Sequence, residues 1–389
     1  MDFFSRLSKL QATMCERGID VMFLQPGASL VYLTGIRRQE PHGAATHTHG
    51  NWAAGGIIFA DGDVVIVSPR RGVGSYLISE TEGKPWIDSL VVIAHEDDPT
   101  DVLGDILQRL GSKKGTIAVD DRLWSQTILV LQDLLPDFAF TLASEIVAPM
   151  RRTKDEEELE TMRTAAHITG QAFETAVAML KPGVTEMEVA AEIDYQFKKL
   201  GAQFSAFATG VRFSGPDRPF IYGFRRSGSR ELAPGDSVTF DLGCVYNGYC
   251  ADFGRSAFVG EPPATYREIH DVVLQAEKAG MAAMLPGRAT TTDVISAVQE
   301  LIMDHGYEQD LRHGVGHGIG VDTHEPPFLS YLDQTVLETN MTFALEPSIS
   351  YPGLDKAEWW NRVEDVIVVT EQGGQFISQV DRKLYVVDS

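Results

Sequence analysis

The stretch SVTFDLGCVYNGYCADFGRSAFVG, residues 237–260, leaves this chain few ways to fold. Two β-rich runs flank Asn247-Gly248, and an Asn-Gly pair in that setting is the strongest short-range signal for a two-residue hairpin. With Asn247 and Gly248 as the loop, Tyr246 faces Tyr249 and Gly243 faces Asp252. Asp241 lies two residues from Gly243, hence on the same face, so Asp241 and Asp252 form a diagonal cross-strand pair within side-chain reach. The neighbours Phe240, Leu242 and Phe253 predict a buried sheet, which argues against aspartates of a surface turn. Two carboxylates crowded on a buried face repel, and a divalent metal is the economical way to hold them.

A second unusual stretch, HGVGHGIG at 313–320, runs on through VDTHEPP to Pro327. It carries His313, His317 and His324, with glycines at 314, 316, 318 and 320. Glycine at this density weakens regular structure, so it serves backbone shape or close approach. Imidazole held by such a backbone suits a metal site or proton transfer. A glycine-rich turn with solvated histidines is the alternative, and carboxylates elsewhere decide between them. Glu346 in MTFALEPSI and Glu364 in RVEDVIVVT sit inside apolar β-rich runs. Carboxylates there are costly unless paired or ligated, and Arg362 is a candidate partner for Glu364. Asp241, Asp252, His317, Glu346 and Glu364 together offer four carboxylates and one imidazole. That set suits Mn, Co, Fe or Zn in a reactive centre better than a structural zinc. Two carboxylates that bridge would hold two divalent ions.

The remainder of the chain frames this set. At 389 residues it is long enough for two domains. Residues 1–150 alternate helical and strand patterns, with a hairpin signal at Asp61-Gly62 inside 55–69, and predict a small α/β domain. Helices are expected near 6–18, 73–81, 101–110 and 122–134, and further strands at 21–24, 90–94 and 116–119. The loop 40–52 holds His42, His47 and His49 without an interleaved carboxylate or thiolate, and reads as a polar loop. The character changes near 150, where Arg151, Arg152 and Lys154 precede four acids and a long helix over 155–180. The second domain, 151–389, contains a weak internal repeat of 179–201 in 284–306, each opening with Pro-Gly and a Thr three residues before an acid. Two such halves would leave a cleft between them. A net charge of −22 argues against nucleic acid and anionic membranes as partners. Cys15, Cys244 and Cys250 are too few and too odd in number for a disulfide framework, which points to a reducing cytoplasm. The N-terminus reads as an amphipathic helix rather than a signal peptide, and no run has transmembrane length.

The order Asp241, Asp252, Gly-His-Gly-x-Gly around His317, Leu-Glu-Pro at Glu346 and Arg-Val-Glu-Asp at Glu364 resembles the pita-bread metallopeptidases, the relatives of prolidase, aminopeptidase P and creatinase. The resemblance covers the whole chain and implies an α+β fold: a creatinase-like N-terminal α/β domain over 1–150, then a pita-bread catalytic domain over 151–389 with a pseudo-two-fold repeat. It implies a dinuclear metal-dependent hydrolase of a small amide or dipeptide, with Xaa-Pro substrates leading, in a homodimer. Carried over, Asp241 binds one ion, His317 and Glu346 the other, and Asp252 and Glu364 bridge. Glu346 is also the candidate general base, His324 contacts substrate or the tetrahedral intermediate, and His313 stands on the substrate side.

One departure separates this chain from the peptidases that it resembles. They carry a further histidine shortly before the first ligand strand, whereas 219–236 contains none. Counting back from Gly235-Asp236 puts Phe224 there, with Tyr222, Arg225 and Arg226 alongside. Losing a preorganised donor slows peptide cleavage by roughly 10²–10³. These four residues then predict a pocket for an acidic or zwitterionic small molecule, as in ectoine or creatine hydrolases or a dimethylsulfoniopropionate lyase. Alternatively, a histidine from the 42–49 loop of a second copy fills the gap. A catalytically silent binding protein is a third possibility, disfavoured by the full ligand set.

Overall fold

The structure is a computed structural model and describes residues 1–39, 47–111, 114–219, 227–311, 314–353 and 357–389. These residues divide into two compact units, Met1–Arg151 and Arg152–Ser389.

In the first unit β1 (Val21–Leu24), β2 (Gly55–Phe59), β3 (Val64–Pro69), β4 (Ser89–Ile93), β5 (Gly115–Val119) and β6 (Phe138–Leu142) form one sheet in the order β4-β3-β2-β1-β5-β6. β2 and β3 make the expected antiparallel hairpin, with Ile58 opposite Val64. β1, β5 and β6 run parallel. β1, β2 and β3 are buried along their whole length, which explains why their sequences are continuous apolar runs without alternation. Two α-helices and a strand escape the sequence reading. The helix Ala28–Thr34 is short and almost wholly buried, so it shows no polar face. β6 is a half-exposed edge strand. The helix Ser144–Arg152 contains Pro149, a residue that ordinarily argues against a helix interior.

The second unit repeats one arrangement twice. Its first half pairs the helices Glu156–Ala178 and Glu186–Lys199 over β7 (Phe204–Ser205), β8 (Gly210–Ser214), β9 (Ser237–Leu242), β10 (Cys244–Tyr246), β11 (Tyr249–Cys250) and β12 (Phe253–Val259). Phe173, Ile193 and Phe197 from these helices share a core with Phe213, Phe240 and Phe253. The second half pairs the helices Ala264–Ala283 and Thr291–Asp304 over β13 (Gly316–Gly318), β14 (Glu325–Phe328), β15 (Thr342–Leu345), β16 (Ser348–Tyr351), β17 (Trp359–Arg362), β18 (Asp365–Thr370) and β19 (Gly373–Phe376). Here Val273, Val294 and Val298 pack on Phe343, Leu345 and Ile367. A last strand, β20 (Tyr385–Val387), returns to lie parallel to β12.

Helix starts follow the capping signals. Asp155 with Glu158 and Thr185 with Glu188 form reciprocal capping boxes. At the third start the Asp293 carboxylate accepts from both the N–H and the hydroxyl of Thr290, at 2.7 and 2.8 Å. The shorter Asp thus still reaches back to the helix start, while its own N–H donates to the Thr290 carbonyl at 3.1 Å.

The Asn247-Gly248 hairpin has the expected register. Tyr246 faces Tyr249, and farther down Asp241 faces Gly254. Both turn residues have positive φ, 46° and 88°, as the primed two-residue turn requires. The ladder does not run unbroken, however. β10 and β11 join β7, whereas β9 and β12 join β8 and β20. The switch falls at Gly243, where a Cβ would collide with the Ala251 carbonyl. Asp252 stands at this break, just before β12, with its side chain 4% exposed.

Candidate metal centre

The two halves of the second unit meet where β12 lies against the joint between β17 and β18. Gly254 N–H donates to the Glu364 carbonyl at 3.1 Å, and Glu364 N–H donates back at 3.0 Å. A side chain at 254 would sit 2.9 Å from Glu364 Oε2 and 3.2 Å from Arg362 Nε, so this seam requires glycine. Asp241 on β9 lies opposite Gly254, and Asp252 precedes β12 by one residue. From the other half, His317 occupies the middle of β13 opposite Ala344. Glu346 follows β15, its N–H held by the Val315 carbonyl at 2.9 Å.

The side chains converge across this seam. Ligand atoms of Asp241, Asp252 and Glu364 lie within 4.8 Å of one another, and so do those of His317, Glu346 and Glu364. The two triads share Glu364. A third triad joins Asp252, His317 and His324. His317 Nε2 is 3.5 Å from Asp252 and 3.7 Å from Glu346. The rings of His317 and His324 are 3.8 Å apart.

The electrostatics leave a cation wanting. Among the described residues four carboxylates face one guanidinium: Arg362 reaches Asp241 at 2.9 Å, Glu346 at 2.8 Å and also Glu364. Burial works against the Arg362 charge, but Asp241, Glu364, Glu346 and Asp252 hold it firmly protonated. The acids fare worse. Burial and then Asp241 push the Asp252 carboxyl well above its usual range. Burial does the same to Glu364, against the pull of Arg362. Asp252 Oδ1 and Glu364 Oε1 are buried, and among the described residues no N–H or O–H donates to them.

His317 is neutral, its pKa lowered to about 3 by burial and then by His324. Its Nδ1 lies 3.1 Å from the Gly318 carbonyl. The tautomer that donates there turns the Nε2 lone pair toward two carboxylates. A lone pair aimed at anions is repulsive until a cation stands between them. Orphaned carboxylate oxygens, excess negative charge and an inward lone pair all fit a divalent ion.

Of the residues singled out in the sequence, Asp241, Asp252, His317, His324, Glu346 and Glu364 come together. His313, Tyr222, Phe224, Arg225, Arg226 and His42 lie outside the described residues. His47 and His49 belong to the first unit. The His47 ring lies 5.8 Å from that of Trp124, and His49 Nε2 is 3.1 Å from the Asp97 carbonyl. Two features were missed in the sequence. Arg362 contacts three carboxylates rather than Glu364 alone. Lys154 forms a buried ion pair with Glu325, next to His324. Its one signal was a lysine set directly before an acidic helix start.

Known proteins resemble the chain over nearly its whole length. A family profile described as metallopeptidase family M24 matches residues 160–371, and a creatinase/prolidase N-terminal domain profile matches 6–153. The chain is 30% identical to the Xaa-Pro dipeptidase of Pyrococcus furiosus over 380 residues, 97% of this chain and 99% of that one. It superposes on the crystal structure of a dipeptidase from Pyrococcus horikoshii with a TM-score of 0.83 at 29% identity, covering 98% and 100% of the two chains. An X-Pro aminopeptidase from Thermotoga maritima gives 0.81 at 27% identity, covering 98% and 99%. A profile that spans more than half of the chain, and a relative that matches nearly all of it, fix the family: the chain belongs to metallopeptidase family M24.

Proposed function

We propose that this protein is a metal-dependent dipeptidase that uses two divalent ions, manganese foremost, and prefers Xaa-Pro dipeptides. The observation that carries it is the pair of ligand triads sharing Glu364. In this reading Asp241 holds one ion, His317 and Glu346 hold the other, and Asp252 and Glu364 serve both. The ions, when bound, polarise the scissile carbonyl and lower the pKa of water. The protein does the rest. Glu346, partly exposed and anchored by Arg362, takes a proton from the attacking water. His324 is exposed beside His317 and donates to the oxygen that gains charge. Arg362 keeps Asp241, Glu346 and Glu364 from splaying apart. His313 would contact substrate. The relatives named for Xaa-Pro substrates support the substrate class. A homodimer in the cytoplasm, acting on a dipeptide and on neither nucleic acid nor membrane, completes the reading. Among the described residues no helix is long and apolar enough to cross a membrane.

The test is a panel of Xaa-Pro and control dipeptides after reconstitution with Mn, Co, Fe or Zn. Metal-dependent release of proline is expected, with the elemental stoichiometry approaching two ions per chain. One observation favours a second reading. Residues 219–236 lack the histidine that peptidases of this kind carry, and Tyr222, Phe224, Arg225 and Arg226 stand in that segment. Turnover of a small zwitterion by C–N hydrolysis or elimination, without dipeptide cleavage, would replace the first reading with this one. Metal binding without turnover of either class would leave a binding protein.

A further inference from the structure

Lys154 lies between the two profile matches, in a position that neither covers. Its side chain is nonetheless 3% exposed and its Nζ is 2.8 Å from Glu325 Oε1, itself 4% exposed. Nζ also reaches the Arg152 carbonyl at 3.3 Å, while Lys154 N–H donates to the Asn340 carbonyl at 3.0 Å. The lysine is thus fixed at both ends. Glu325 is likewise shared: its Oε2 accepts from Asp322 N–H at 3.4 Å. Gly320 N–H donates to the Asp322 carbonyl at 3.1 Å, which closes the turn from 320 to 325. A Cβ at 320 would lie 2.5 Å from Glu325 Oε1 and 2.8 Å from Lys154 Cε, so the glycine makes room for this ion pair. His324 is the residue immediately before Glu325, and its ring lies 3.8 Å from that of His317, tilted by 44°. A fully buried pair at the end of a short turn is a costly device for stability alone, since an apolar pair would serve as well.

We infer that Lys154 and Glu325 are positioning residues that set His324 over the reacting carbonyl. This rests on the role proposed above for His324. The pair touches neither substrate nor metal; it fixes the turn that carries the imidazole. Displacing a catalytic group by about an ångström is enough to slow turnover by as much as about 10²-fold.

The test compares the double variant Lys154→Met/Glu325→Gln, which removes both charges together, with Gly320→Ala, which crowds the pair but keeps it charged. Each is assayed, manganese-loaded, for ions per chain, Tm, and kcat and KM on an Xaa-Pro dipeptide. Both variants should keep wild-type metal content and KM while kcat falls by about 10–100-fold. Combining either with His324→Ala should slow the enzyme no further than His324→Ala alone. A kcat within twofold of wild type in Gly320→Ala, a loss that adds in full to that of His324→Ala, or a loss of metal in step with activity overturns the proposal. If His324→Ala itself turns over normally, the role of His324 falls and the positioning role with it. If His324→Ala is slow but both other variants are fast, only the positioning role falls.

Discussion

Glu364 and Asp365 are consecutive residues, both buried completely, yet they belong to opposite kinds of polar cluster. Asp365 joins Arg255, whose Nη2 spans both carboxylate oxygens at 3.0 and 2.9 Å, and Arg382 at 2.8 Å, with Glu277 alongside. Two acids meet two guanidinium groups, and Arg255 spends its other donors on the carbonyls of Gly254, Glu364 and Asp381. Glu364 joins Asp241, Asp252 and Glu346 around Arg362, the one guanidinium that the described residues bring to them. Counted by charge, the first cluster balances and the second, among the described residues, does not, although burial and then Asp365 push the Glu277 carboxyl well above its usual range. Their shared backbone teaches where chemistry resides: the balanced cluster builds the seam, and the unbalanced one is left to recruit a cation.

The sharpest way to break this contrast is to remove a carboxylate from the unbalanced cluster. Asp252→Ala or Glu364→Ala should lose bound metal and turnover together, activity dropping by at least about 10²–10³-fold. In chelator, Asp252→Ala should unfold at the same or a higher temperature than wild type, because it removes a repelling charge. Full metal occupancy by elemental analysis, or a lower Tm in chelator, would contradict the charge imbalance argued here.

A narrower loss, of turnover but not of metal, is expected at His324. His324→Ala should lower kcat by roughly 10²–10⁴ with the metal content intact. Loss of metal instead would make His324 a ligand, as its triad with Asp252 and His317 also allows.

In the balanced cluster the effect should be on folding. Arg255→Met leaves Asp365 and Glu277 buried beside Arg382 only, and should lower stability by about 3–5 kcal/mol in denaturant titration. The deficit should be the same with metal and with chelator. A deficit that metal repairs would show that the clusters are one system.

The least effect belongs to His270, which bonds Asn361 at 3.2 Å and the Arg382 carbonyl at 3.0 Å at the rim of the balanced cluster. Burial lowers its pKa below the ordinary 6.5. The folded state therefore binds fewer protons than the unfolded one, and this contribution to stability is present above pH 6.5 and lost as pH falls through the folded value. His270→Asn should flatten the fall of Tm on the acid side of pH 6.5. An unchanged slope would remove His270 from that fall.

The sequence showed most where physics is local. Asn247-Gly248 fixed a register that placed Asp241 and Asp252 on one face, and the Thr185 and Thr290 boxes marked helix starts. It showed least where side chains meet from afar. Lys154 and Glu325 are 171 positions apart, and no periodicity links them. Arg362 could be paired with Glu364, two residues on, but its contact with Asp241 spans 121 positions and depends on how the halves close. The break at Gly243 was hidden as well, because a residue count runs through it without a change of register.

That register has a consequence for sequence length. Exposed turns are ordinarily the most forgiving places in a protein to gain or lose a residue. The tip at Asn247-Gly248 is not forgiving, since successive strand residues point to opposite faces. One added residue there would carry Asp252 to the far side of the sheet while Asp241 stayed. The hairpin tip acts as a length standard for the metal centre, so the chain can vary in spelling at this surface turn far more readily than in count.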